Sequence, residues 1–152
     1  MEIERKFLVR SLPPRWSRLS GSQIRQGYFC ISRKELEIRL REKGSQHFIT
    51  IKQGRGKIRR EEEIRIGKEH FNNLWPIVSA TSVIKKRYRI PYNQITIELD
   101  IYQGRHRGLR IAEVEFSSKR EADSFEPPEW LGREVTGNGR YANASLACRG
   151  KS

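Results

Sequence analysis

Acidic and basic side chains recur in this chain at every second position, in pairs. Glu2 and Glu4 lead into Lys6; Glu61/Glu63, Glu98/Asp100 and Glu113/Glu115 are further acidic pairs; Arg39/Arg41 and Lys85/Arg87 are basic pairs, with Lys52 added to the basic set. In an extended strand successive side chains point to opposite faces, so residues two apart share a face. Each pair then presents two like charges to one side. Such charges repel mildly in water and strongly when enclosed, unless a counter-ion joins them. Converging carboxylates are ligands for hard cations such as Mg2+ or Mn2+. Guanidinium and ammonium groups bind phosphate oxygens. A face that carries both kinds is suited to a metal-bound polyphosphate.

The segments that must position these pairs read as strands, because apolar residues fill the alternate positions. Leu36, Ile38 and Leu40 lie opposite Glu37, Arg39 and Arg41; Ile95, Ile97, Leu99 and Ile101 lie opposite Glu98 and Asp100; Ala112, Val114 and Phe116 lie opposite Glu113 and Glu115. Strands are expected over residues 1–9, 24–31, 35–41, 47–52, 58–66, 83–90, 94–102 and 109–116, with Arg60 and Glu62 interrupting the apolar side of the fifth. Residues 68–80 change period: Phe71, Leu74, Trp75 and Val78 recur at helical intervals, so an amphipathic helix should pack on the sheet. Ser118 with Glu121 is a capping box for a short helix that ends before Pro127 and Pro128. A last helix is expected near residues 140–148. The expected class is mainly β (α+β): one domain over residues 1–152, about eight mostly antiparallel strands, and a few helices.

Two arrangements of the charged faces remain open. They form either a solvated surface around an apolar core, or the interior of a closed barrel with the helices outside; about eight strands enclose enough room for contents. The net charge of +13 calls for an anionic partner: nucleic acid, a phosphate-rich small molecule or an acidic membrane surface. No apolar run approaches the ~20 residues of a membrane span, and the N-terminus does not read as a signal peptide. Cys30 and Cys148 read as reduced, buried thiols of a cytoplasmic protein. His47, His70 and His106 are too scattered for a zinc site.

Taken in order, these residues resemble the CYTH, or triphosphate tunnel metalloenzyme, superfamily. Glu2-Ile3-Glu4-Arg5-Lys6 matches its ExExK signature. Arg39 and Arg41, Thr50-Ile51-Lys52, Arg59 with Glu61 and Glu63, Lys85 and Arg87, Glu98-Leu99-Asp100 and Ala112-Glu113-Val114-Glu115-Phe116 follow in the family's order. The tail over residues 132–147 is similar to that of short, single-domain bacterial members. The resemblance implies an eight-stranded antiparallel β-barrel tunnel and Mg2+- or Mn2+-dependent hydrolysis of a small-molecule triphosphate, most often inorganic tripolyphosphate to pyrophosphate and phosphate. It implies that Lys6, Arg39, Arg41, Lys52, Lys85 and Arg87 hold the triphosphate, and that Glu2, Glu4, Glu61, Glu63, Asp100, Glu113 and Glu115 place metal. Glu2 and Glu4, with Tyr28 and Lys85, are the expected catalytic groups; Tyr28 either orients the attack or stabilises the leaving group, or is a core tyrosine.

Taken singly, each acidic pair reads better as a solvated strand face; four in the family's order reverse that. Arg65 and Arg89, near strand ends, read as solvent-facing, and Gly54 to Lys57 as a hairpin turn rather than a phosphate loop. Glu37 is left open between a ligand and a partner of Arg39. The basic stretches Arg55-Gly56-Lys57 and Arg105-His106-Arg107 leave a longer anionic substrate open. The alternatives are a nucleoside or thiamine triphosphatase, a class IV adenylate cyclase, or a basic nucleic-acid or polyanion-binding module. Nucleic-acid surfaces do not usually interleave so many carboxylate pairs with the basic strands, and no RNP, KH or zinc pattern is present. No membrane partner is expected, and the chain should act as a monomer or homodimer.

Overall fold

The alternating segments become strands that each run antiparallel to their neighbours. The computed structural model describes residues 3–30, 35–54 and 60–149. The strands are β1 (Ile3–Val9), β2 (Ser22–Phe29), β3 (Leu36–Lys43), β4 (Gln46–Gln53), β5 (Arg60–Ile66), β6 (Ser82–Tyr92), β7 (Ile95–Gln103), β8 (Arg110–Phe116) and β9 (Leu131–Glu134). The helices are α1 (Lys68–Val78), α2 (Lys119–Ser124) and α3 (Asn143–Arg149). One nine-stranded sheet has the order β5-β4-β3-β2-β6-β7-β8-β1-β9. Its edges are β5 and β9, so among the described residues the sheet curls without a ladder joining its two ends.

Sequence patterning gives eight strands; the ninth, β9, is too short for alternation to register. It pairs with β1 around Phe7 and Val9, and Val135 N–H donates to the Lys6 carbonyl at 2.8 Å beside it.

The outward face is the apolar one. Phe7, Tyr88, Ile97, Leu99, Ala112 and Val114 form a core with Ala122 of α2 and Leu131 of β9. Ser118 caps α2 as its spacing predicts, accepting from Glu121 N–H at 3.1 Å, and the Glu121 carboxylate reaches back to Ser117 N–H at 3.0 Å. Helix α1 lies over the outside of β2, β3 and β4, where Phe71 and Val78 bury against Leu40. A fully buried Phe or Val side chain stabilises by roughly 1.5–3 kcal/mol. Gly27 makes that approach feasible: a Cβ there would stand 2.3 Å from Val78 Cγ2. Arg25 extends over Phe71 and Trp75, at 5.3 and 4.8 Å from their ring centroids, and binds Glu42 at 2.8 Å.

Helix α3 departs from the expectation that the helices lie outside. Its Ala147 is buried with Tyr28, Val83, Tyr102 and Ile111, and Leu8 packs there too. Those residues belong to β2, β6, β7, β8 and β1 and lie on the inward face. Five strands reaching one short helix is the sign of the curl. The alternation turns apolar at this end, with Leu8, Val83 and Ile111 where charges stand farther along, so the inward face accepts a helix there.

The cysteines correct the sequence reading. Cys30, one residue past β2, is joined by a disulfide to Cys148 in α3, with Cα atoms 6.1 Å apart. Two cysteines separated by 118 residues carry no local pairing signal; the fold alone brings them together.

Candidate active site

Cross-strand register places the predicted charges side by side on the inward face. Lys52 stands opposite Glu37 on β3 and Glu61 on β5; Thr50 stands opposite Arg39 and Glu63. Arg39 is also opposite Tyr28, and Arg41 opposite Gln26. On the other half, Arg87 faces Asp100, Glu98 faces Glu113, Lys6 faces Glu113, and Glu4 faces Glu115. Glu2, Arg55, Gly56, Lys57 and Arg59 lie outside the described residues.

Asp100 is the hub. Its Oδ2 accepts from Lys85 Nζ at 2.7 Å and from Arg87 Nη2 at 2.9 Å, and its Oδ1 accepts from Arg87 Nε at 2.8 Å. The side chains of Lys85 and Asp100 are 0% and 1% exposed. Burial works against the Asp100 charge, but Lys85 and Arg87 outweigh it and hold the carboxyl below its ordinary range. Burial also opposes the Arg87 charge, and the bond to Asp100 overcomes it and raises the guanidinium further. Around this hub Arg87 approaches Glu98 at 3.5 Å, and Lys6 approaches Glu113 at 3.6 Å. Arg89 also reaches Glu98 from an exposed position, and Arg65 is exposed, as their places near strand ends suggest.

The second half of the basic set is built on β2 and β3. Arg41 Nε donates to Gln26 Oε1 at 2.8 Å, and Gln26 Nε2 donates to the Tyr28 hydroxyl at 2.8 Å. Burial, and then the neighbouring Arg39, pull Arg41 down to about 10. Burial pushes the Tyr28 phenol up to about 12, against the pull of Arg39, so it keeps its proton at neutral pH. Arg39 is buried, and its Nε has no hydrogen-bond partner among the described residues. An unpaired buried donor on a guanidinium is expensive. A hydrogen-bond acceptor at that place would relieve it.

Among the described residues, no three acidic, histidine or cysteine side chains converge tightly enough to hold an ion by themselves. The donor set nevertheless suits a hard cation. Glu4 and Glu115 are directly opposed like charges on adjacent strands, with Glu113 two residues along the same face. Mg2+ is commonly held by one or two carboxylates while phosphate oxygens and water complete its shell.

Three contributors escape the sequence patterning. Gln26 is fully buried and links Arg41 to Tyr28. Tyr102 donates to Asn143 Oδ1 at 2.6 Å, and Lys85 Nζ lies 3.5 Å from the same oxygen. Tyr102 continues the Glu98/Asp100 alternation and could have been found that way; Asn143 sits in a tail with no periodic signal. The basic stretch Arg105-His106 is also explained: Arg105 Nη2 donates to the Ala147 carbonyl at 3.0 Å, and His106 Nε2 meets the Leu146 carbonyl at 2.8 Å. Both satisfy the carboxyl end of α3, while Arg107 stays exposed.

Comparison with known proteins bears on the family and the fold. The CYTH domain model matches residues 1–149. The chain is 42% identical over 148 residues to the inorganic triphosphatase of Nitrosomonas europaea, covering 96% of each. It is 34% identical over 149 residues to the inorganic triphosphatase of Acetivibrio thermocellus, covering 95% of this chain and 92% of that one. Its fold is similar to the crystal structure of an inorganic triphosphatase, with a TM-score of 0.79 at 39% identity, over 97% of this chain and 94% of that one. None of the helices among the described residues is long and apolar enough to cross a membrane. A CYTH domain match over residues 1–149, with relatives 42% and 34% identical over nearly the whole chain, places the chain in the CYTH domain family.

Proposed function

We propose that the protein is a divalent-metal-dependent hydrolase that cleaves inorganic tripolyphosphate to pyrophosphate and phosphate, and that it works in the cytoplasm as a single-domain enzyme. The observation that carries the reading is the surplus of buried cations on the inward face. Arg39 keeps an unpaired Nε, and Arg41 is disfavoured by burial and by Arg39. A polyanion relieves both. The relatives named as inorganic triphosphatases supply the same substrate class.

In this reading Arg39, Arg41, Lys52, Lys85, Arg87 and Lys6 neutralise and align the phosphates. Positioning and charge stabilisation supply most of the catalysis in phosphoryl transfer. Asp100 fixes the direction of Lys85 and Arg87 through three hydrogen bonds, which suits it to positioning these cations as much as to metal. Glu4, Glu113 and Glu115, with Glu2, and Glu61 and Glu63 on the opposite edge, would hold Mg2+ or Mn2+. When bound there, such an ion would supply charge neutralisation and would lower the pKa of a bound water. Tyr28, neutral and fixed by Gln26, is suited to donate a proton or hydrogen bond toward a phosphate oxygen.

The test measures phosphate release from tripolyphosphate, ATP and thiamine triphosphate, with Mg2+ or Mn2+ and with a chelator. Tripolyphosphate should give the highest kcat/KM, and the chelator should abolish it. Turnover that survives chelation rejects the metal mechanism; preference for a nucleotide rejects the substrate. A nucleic-acid module is disfavoured because the basic pairs are turned to the inward face, among carboxylates.

A further inference from the structure

We propose that α3 is a redox-latched end wall of the site, and that Asn143, which it delivers, is a positioning residue for Lys85. The helix touches the site at one end and is fastened at the other. At its start, Asn143 Oδ1 accepts from Tyr102 at 2.6 Å and lies 3.5 Å from the Lys85 ammonium. The Tyr141 carbonyl just before it lies 3.5 Å from Lys6 Nζ. At its far end Cys148 is bonded to Cys30, one residue past the strand that carries Gln26 and Tyr28.

Helix α3 cannot hold this place by itself. It has seven residues, and isolated helices below ~12–15 residues are marginal in water. Its other restraints are the bonds of Asn143 itself, the apolar contact of Ala144, Leu146 and Ala147, and two side-chain bonds to its last carbonyls. The crosslink is the one covalent restraint among them, and it fixes the end of α3 opposite Asn143. Cys30 is exposed, so a reductant can reach the bond. Disulfides in reducing compartments are usually transient or sensing, and this one reports directly to the active face.

The step is thiol–disulfide exchange with a dithiol reductant. One thiolate of the dithiol attacks a sulfur of the pair, the Cys30–Cys148 bond breaks, and a mixed disulfide forms. The second dithiol sulfur closes on the first and releases the protein. Two electrons and two protons pass from the dithiol, which ends as its own disulfide, to leave the Cys30 and Cys148 thiols. With the latch open, α3 leaves the inward face more often, and Tyr102 and Lys85 lose their shared acceptor.

The turnover part rests on the hydrolase reading; the exchange part does not, so the two fail separately. Air-oxidised protein, unfolded and alkylated, should show no free thiol, and dithiol treatment should expose two. Amide exchange over residues 141–149 should speed on reduction, and a Cys30→Ser/Cys148→Ser protein should exchange at the reduced rate with no response to dithiol. Tripolyphosphate turnover should fall about fivefold on reduction, the scale of one lost hydrogen bond. Asn143→Ala should show a similar loss in the oxidised protein, and Asn143→Asp, which keeps an acceptor oxygen, should recover most of it. Free thiols in the oxidised protein, or exchange unchanged by reduction, overturn the latch. Equal activity of the Ala and Asp variants overturns the positioning role. Absence of turnover in every state refutes the hydrolase reading and the positioning role, while amide exchange still decides the latch.

Discussion

Replacing Asp100 by asparagine removes the carboxylate that lies between two cations with little access to water. Lys85 is 0% exposed and Arg87 12% at the side chain, and Asp100 is 1% exposed. Glu98 remains near Arg87, at 3.5 Å, but nothing of opposite charge remains within hydrogen-bonding distance of Lys85 among the described residues. Removing one partner of a buried ion pair destabilises by about 3–5 kcal/mol. Asparagine preserves shape and one acceptor oxygen, so the lower end is expected, about 3 kcal/mol. For a chain of this size that corresponds to a fall in Tm of roughly 6–12 °C. The freed cations should then draw a polyanion more strongly, so tripolyphosphate without metal should raise the Tm of Asp100→Asn more than that of the parent. The pH dependence adds a second reading. The folded-state carboxyl is held below the unfolded value of about 3.9, so its contribution is complete above that pH and disappears as pH falls through the lower folded value. The parent should lose stability below about pH 4, and Asp100→Asn should lose less over the same window. Thermal unfolding followed by circular dichroism across pH, with and without tripolyphosphate, measures all three. A stability loss under about 1 kcal/mol, with equal ligand shifts in both proteins, would falsify the account of Asp100 as the essential counter-charge.

Other changes probe separate parts of the structure. Tyr28→Phe should lower tripolyphosphate turnover by about 10²-fold, the scale of losing one transition-state donor, and should lose about 1–3 kcal/mol of stability because the buried Gln26 Nε2 loses its acceptor; full activity in steady-state assays would assign Tyr28 to packing alone. Because the phenol titrates only at about 12, the parent pH–rate profile should show no limb from Tyr28 between neutral pH and pH ~10, where a free tyrosine titrates. Gly27→Ala drives a methyl to within 2.3 Å of Val78 Cγ2 and 3.0 Å of the Val78 carbonyl, so it should destabilise by about 1–3 kcal/mol in denaturant unfolding; a neutral result would mean that α1 shifts freely. Ser118→Ala removes the cap on Glu121 N–H and should lose about 1 kcal/mol by the same measurement, with turnover unchanged.

The faces of the strands were legible because alternation is a local consequence of backbone geometry. Arg39, Arg41, Lys85, Arg87, Asp100 and Glu113 share one side whatever else the chain does, and the amphipathic period of residues 68–80 needed only its own apolar spacing to become the outer helix. Which charge meets which is a different kind of information. That Asp100 takes both Lys85 and Arg87, that Gln26 ties Arg41 to Tyr28, and that Asn143 arrives beside Lys85 all depend on register between strands and on the docking of α3. The Cys30–Cys148 bond depends on the same long-range closure. Sequence alone determined eight of the nine strands, their charged faces and the need for an anionic partner, because those follow from neighbours along the chain. The curl, the helix at one end of the inward face and the pairing of buried charges were decided only in three dimensions, because they are set by contacts between residues far apart in sequence.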